Sequence, residues 1–248
     1  MSVFVPVGIH CDHCGADAWV NAPISLQIRR FPLFRQHALD GTLCQYLCPQ
    51  CERLVAIEPR LLYMDFDRWQ FYAVLPARAL PWRAEIVPRI DAIWQRNMRS
   101  ACPELVREEW APRFMHRVVF GVPQLTEKLR IAEAGLDDRI VETMKIVLAF
   151  GRRHLFGGTE ILFTGCDPEA LHFERQEPPG PEALSVGVTW AVPRYRYQQF
   201  AREPERWAAV APEVWGEWVV DWRCTVAPEA AMPAEEAVGL AELDALPA

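Results

Sequence analysis

The chain has 248 residues, 51% of them hydrophobic and 24% charged, and a formal net charge of -7. That composition excludes a disordered chain, and the length allows one large domain or two modest ones with a real core. No run approaches the ~18 uninterrupted apolar residues of a membrane helix, and the acidic balance disfavours general nucleic-acid binding, which needs a basic footprint.

Residues 1–78 carry five of the eight cysteines and read as a predominantly β zone. Residues 24–29 alternate apolar and polar, as a half-buried strand should. Residues 32–39 predict a short helix with Pro32 at its first position and Asp40-Gly41 as its stop. Strands are expected near 42–47, carrying Cys44, and at 54–57. A hairpin of 61–64 and 69–75 should follow, joined by the polar turn Asp65-Phe66-Asp67-Arg68.

Beyond Pro76, Pro81 and Pro88, the spacing of Ile90, Ile93, Trp94 and Met98 predicts a helix. A strand is expected over 114–120, then helices over 123–134 and 138–150, closed by Gly135 and Gly151. Asp137 is suited to cap the second of these. Strands are predicted again over 159–164, 170–174 and 184–192. Residues 214–225, rich in Trp and Val, also read as a strand. The end of the chain is Ala, Pro and Glu, with five acidic residues and no basic one over 227–248. The expected organisation is therefore α+β: a β module (1–78), a region of helices and a second antiparallel sheet (79–226), and an acidic flexible tail (227–248).

Chemistry concentrates in two C-x2-C pairs, Cys11-Asp12-His13-Cys14 and Cys48-Pro49-Gln50-Cys51, with 33 residues between them. The opening Met1-Ser2-Val3-Phe4-Val5-Pro6 lacks the basic and apolar segments of an export signal, so a cytoplasmic chain is expected. In that reducing compartment, cysteines read as thiols or metal ligands before disulfides. The x2 spacing turns both sulfurs of a pair toward one ion, so two pairs can set four thiolates around a single structural zinc at about 2.3 Å each. Gly15 follows the first pair, where a tight turn demands positive φ; Glu52 stands in the equivalent place after the second, which predicts a more strained turn. Redox catalysis fits poorly, because neither pair starts a helix after a strand. His10 or His13 could replace a displaced thiolate. Cys44, Cys102, Cys166 and Cys224 read as small core side chains. A closed four-sulfur shell leaves no position for substrate, so the ion would be structural and its binding energy would be folding energy.

The segment 20–43, the knuckle Cys48-Pro49-Gln50-Cys51, and Leu61-Leu62-Tyr63-Met64-Asp65 closing with Leu75-Pro76 resemble the CpXC domain family of bacterial proteins. The later runs Arg117-Val118-Val119-Phe120, Glu127-Lys128-Leu129 and Gly135-Leu136-Asp137-Asp138-Arg139-Ile140-Val141-Glu142 resemble longer members. The resemblance implies a zinc-ribbon-like module and a bacterial source. It implies no activity, since the family is defined by its motif. Glu52-Arg53 departs from the Gly-containing continuation usual after the second knuckle.

An enzyme would need a nucleophile, a base or an open metal. None of Ser2, Ser25, Ser100 and Ser185 lies in G-x-S-x-G, and G-x-G-x-x-G, Walker A and H-E-x-x-H are absent from the sequence. Gly157-Gly158 reads as a turn, Asp137-Asp138 as a helix start, and His116 as a structural histidine. Trp190, Trp207, Trp215, Trp218 and Trp222 fit core and rim of a small sheet better than a recognition surface. Across 1–78 seven arginines are matched by seven acids, leaving a local patch at Arg29, Arg30 and Arg35. Lys128 and Lys145 are the only lysines, which reads as a codon-composition signature. The expected protein is non-catalytic, zinc-stabilised and cytoplasmic, with an unidentified protein partner and no membrane. A nucleic-acid-associated zinc ribbon and a thiol switch that releases zinc on oxidation are the alternatives.

Overall fold

The computed structural model describes residues 2–100, 102–151, 160–176 and 188–233. The chain is α+β and divides into two compact units, one formed by Met1–Leu125 with Pro228–Ala248 and the other by Thr126–Ala227.

The first unit is built on a five-stranded mixed sheet. Its strands are β1 (Val3–His10), β2 (Asp17–Gln27), β5 (Leu61–Asp65), β6 (Gln70–Leu75) and β7 (Met115–Phe120), in the order β1-β2-β5-β6-β7. β1 and β2 are antiparallel, as are β5 and β6, while β2/β5 and β6/β7 run parallel. The strand exposures follow the residue patterns. β1 sits at an edge and alternates in exposure, whereas every residue of central β6 is buried, as its run Phe71-Tyr72-Ala73-Val74-Leu75 suggests. A separate two-stranded hairpin pairs β3 (Gln45–Leu47) with β4 (Leu54–Ala56), and the short helix α1 (Leu33–Leu39) matches its expected place.

The boundary expected at residue 78 does not separate compact units, because β7 completes the N-terminal sheet. Joining β6 to a parallel neighbour requires a crossover, and residues 77–113 supply it. Its main element is α2 (Arg83–Gln95), which buries Ile86, Ile90, Ile93 and Trp94. The Trp94 ring packs 4.9 Å from Phe71 and 5.4 Å from His116, so the helix seals one face of the sheet. Arg35 turns inward and is 7% exposed, with Nη1 donating to Tyr63 Oη and Asp65 Oδ2 at 3.2 Å each. Of the arginine patch expected at Arg29, Arg30 and Arg35, only the first two face solvent.

Helices α3 (Val122–Glu133) and α4 (Asp138–Gly151) lie close to their predicted bounds, with Gly135 at φ 66° between them. Asp137 Oδ1 accepts the Arg139 N–H at 2.9 Å, the capping role its sequence position suggests. The second unit also holds an antiparallel sheet of β8 (Glu160–Cys166), β9 (Ala170–Gln176) and β10 (Val188–Pro193) in the order β10-β9-β8. Two helices follow, α5 (Arg194–Ala201) and α6 (Pro204–Val210). Ile140, Val141 and Met144 of α4 pack with Ile161, Phe163, Leu171 and Phe173 of the sheet.

No strand forms over 214–225, which corrects the expectation. Short 3-10 turns occupy Pro212–Val214 and Trp222–Thr225, and among the described residues the sheet contains only Trp190 of the five clustered tryptophans. The Trp and Val content reflects burial, not strand pairing: Val214, Trp218, Val220 and Trp222 are all buried. The donors that a strand would need are used elsewhere. The Trp222 N–H donates to Glu142 Oε2 at 3.0 Å and the Trp215 N–H to Pro212 O at 3.1 Å.

Beside this core lies a buried charge network. Glu142 Oε1 accepts from Lys128 Nζ at 2.8 Å and from Lys145 Nζ at 3.0 Å. Lys145 also meets Glu127 at 2.5 Å and Lys128 meets Asp138 at 3.5 Å, while Arg223 pairs with Asp221 and Glu160 at 2.8 Å each. Five carboxylates thus face three cations. Both lysines are 1% exposed. An amine-reactive ester is therefore expected to leave Lys128 and Lys145 unmodified in native protein and to label both in urea, as peptide mapping would read.

The burial of this network has an electrostatic consequence. Burial, opposed by Lys145, pushes the Glu127 carboxyl up to about 7. An unfolded glutamate titrates near 4.3. The folded state therefore keeps a proton that the unfolded chain loses between about 4.3 and 7, and this group's contribution to stability falls as pH rises through that window. Urea titrations at about pH 5 and pH 7 should show a smaller stability loss for Glu127→Gln than for the parent chain.

Candidate metal centre

Cys11 and Cys14 sit in the turn joining β1 to β2, and Cys48 and Cys51 in the turn joining β3 to β4. The two turns are built alike. In the first, the Cys11 N–H donates to Ala16 O at 2.9 Å and the Gly15 N–H to Cys11 O at 2.8 Å. In the second, the Cys48 N–H donates to Arg53 O at 2.8 Å and the Glu52 N–H to Cys48 O at 2.9 Å. This closure forces positive φ on the residue after the second cysteine, 73° at Gly15 and 57° at Glu52. Glu52 therefore carries the strain expected of a side chain where glycine is at ease.

The hairpins bring all four sulfurs within 4.8 Å of one another, with Cys11 Sγ to Cys51 Sγ and Cys14 Sγ to Cys48 Sγ at 3.6 Å each. A tetrahedron with metal–sulfur bonds of about 2.3 Å has edges of about 3.8 Å. The residues present thus fit a four-coordinate thiolate ion. Cys11 and Cys48 are buried, while Cys14 and Cys51 are half-buried.

Backbone donors prepare one sulfur in each turn. The N–H groups of Cys14 and His13 lower the pKa of Cys11, and those of Cys51 and Gln50 bring Cys48 down to about 7. Their partners go the other way. The Ala16 N–H favours the Cys14 thiolate, but burial and the thiols of Cys51 and Cys48 outweigh it and push Cys14 up to about 12. Cys51 is likewise raised: the Arg53 N–H lowers it, yet burial and the Cys11 and Cys48 thiols prevail. A cation among the four would reverse that mutual opposition, since ligand thiols are held deprotonated.

Neither histidine joins the set. His10 Nδ1 lies 2.8 Å from Asp17 Oδ1, a contact that raises its pKa, and His13 faces solvent on the knuckle. Cys44 is buried with φ 63°, and burial pushes its thiol up to about 12. Its positive φ places it just before β3, not within a strand. Cys224 is also buried; Cys102 and Cys166 are half-buried, the latter 3.6 Å from Arg194 Nη1. Among the described residues, Cys11, Cys14, Cys48 and Cys51 form the sole metal-competent cluster of His, Cys, Asp and Glu. The backbone donors and the His10–Asp17 pair escape sequence reasoning, because turn closure and cross-strand register create them.

Fold and site together define an α+β protein with a four-cysteine metal-binding module. The family described as CpXC protein matches residues 9–145, more than half of the chain, and the chain belongs to that family. No curated protein and no solved structure matches it.

Proposed function

We propose that Cys11, Cys14, Cys48 and Cys51 hold one structural zinc ion, and that the chain is a non-catalytic, cytoplasmic protein-interaction module. The convergence of four sulfurs with no other ligand type carries the metal reading. Such a set favours zinc over hard cations such as magnesium or calcium, and a closed shell suits a staple, not a reaction centre.

The stapled hairpin itself supports the interaction reading. Leu47 and Leu54 pair directly across β3 and β4 beside the knuckle, yet they are 62% and 64% exposed. An apolar pair held rigidly in solvent suits the core of a small interface. With Arg35 committed inward and a net charge of -7, a protein partner fits better than a nucleic acid.

Two measurements test this. Metal analysis should return one zinc per chain, and cobalt substitution should give the intense thiolate charge-transfer bands of a four-sulfur site; a metal-free chain with intact fold would overturn the staple. Affinity capture from the native host should recover a partner that a Leu47→Glu/Leu54→Glu chain of equal metal content loses. Identical recovery by both chains would remove the hairpin as the interface.

A further inference from the structure

The start of the C-terminal segment, expected as a solvated tail, is instead tied to the first unit. The Ala230 N–H donates to Pro81 O at 2.9 Å, and the Met232 N–H donates to Glu85 Oε1 at 2.8 Å. The Glu229 carboxylate lies 3.4 Å from Arg83 Nη2. Met232, half-buried, lines a small pocket together with Arg60, Leu75, Pro76, Ala79, Trp82 and Ile86. These four attachments fall within one short stretch that has no regular secondary structure.

We infer that this groove, formed by the end of β6, the Ala77–Trp82 turn and the start of α2, is a docking site for an extended acidic peptide of another protein, and that residues 228–233 occupy it in cis. The inference rests on the protein-interaction reading above and gives that reading a second, chemically defined surface. The groove separates binding from recognition. The Pro81 carbonyl takes a backbone N–H from any sequence, so it fixes the path of the chain without selecting it. Arg83 selects a carboxylate, and the apolar surface that Met232 shares with Leu75, Pro76, Ala79 and Ile86 favours a flexible, unbranched apolar side chain. The partner is therefore a segment with an acidic residue three positions before a methionine, as in Glu229-Ala230-Ala231-Met232. Pro233 follows that motif and disfavours the helical region at Met232.

A segment tethered in cis competes at an effective concentration that reaches millimolar, so a peptide in trans meets a closed groove in the parent chain. The test frees the groove within the full chain by Glu229→Lys with Met232→Asp. A labelled peptide of residues 226–236 is expected to bind this variant at least tenfold more tightly than the parent chain. A peptide carrying Met232→Asp should not bind. Arg83→Glu, added to the freed chain, should lose the native peptide and accept one carrying Glu229→Lys.

In the unmodified chain, excess peptide should speed amide exchange at Ala230 and Met232, a readout independent of any variant's folding. Equal affinity for freed and parent chains, or no binding to the freed chain at millimolar peptide, would overturn the inference. So would a concentration-dependent dimer that exchanges these segments, since the occupant would then be a second copy. Failure here with the Leu47 and Leu54 interface intact would remove the groove alone.

Discussion

Cys48→Ser is expected to abolish stoichiometric metal binding and to melt the β3–β4 hairpin, while Cys102→Ser retains both. Structural zinc contributes on the order of 10–16 kcal/mol in small zinc peptides, as much as the whole net stability of an ordinary domain at about 5–15 kcal/mol. The two hairpins should not respond alike. β1 and β2 pair over eight residue positions and continue into the five-stranded sheet, so their contacts survive loss of the ion. β3 and β4 are three residues each and pair only with one another, a size that is marginal in water without a staple. Hydrogen exchange should therefore show protection lost at residues 45–56 and kept in β5 and β6, alongside metal analysis of the same sample. Uniform loss across both regions would mean that the ion supports the whole unit and not one hairpin.

The second large effect is expected in the other unit. Glu142→Leu should destabilise it by about 3–5 kcal/mol, the cost of leaving buried charges without their partner. Glu142 receives both lysines and the Trp222 N–H, so its loss takes an acceptor from three donors at once. Lys145 would keep Glu127 and Lys128 would keep Asp138, which argues for the lower end of that range. Glu203→Ala, which removes a solvent-exposed pair with Arg206, is the natural comparison and should cost no more than about 0.5–1 kcal/mol. Chemical denaturation of the two variants side by side checks the contrast. Equal losses would show that the buried network holds nothing that the surface pair does not.

The same network shows where sequence reasoning missed a signal. Two lysines in a chain that otherwise uses arginine read as a compositional accident, yet both lie in one buried cluster. Their joint burial follows from placing α3 beside α4 and Glu142 beside residue 222, eighty positions away. Alternation and helical spacing report which face of an element is buried. They do not report which polar groups share the interior, because that depends on packing between elements. Residues 214–225 failed for a related reason. Buried tryptophan and valine look like a strand in sequence, and only the partners of their N–H groups show that they pack as turns.

The metal-competent site is the opposite case. Two C-x2-C pairs, each followed by a residue driven to positive φ, are local instructions: the spacing aims the sulfurs and the backbone N–H groups within a single turn. The sequence alone therefore determined the four sulfurs, the strain at Glu52, the capping by Asp137 and most elements near their observed bounds. Tertiary structure alone decided that β7 belongs to the N-terminal sheet, that Arg35 points inward, and that residues 228–233 return to the first unit. Each of those outcomes depends on a hydrogen bond, an ion pair or a strand pairing between residues tens of positions apart or more. Short-range patterns record the conformation of a segment, while its long-range partner is chosen by burial and satisfied donors.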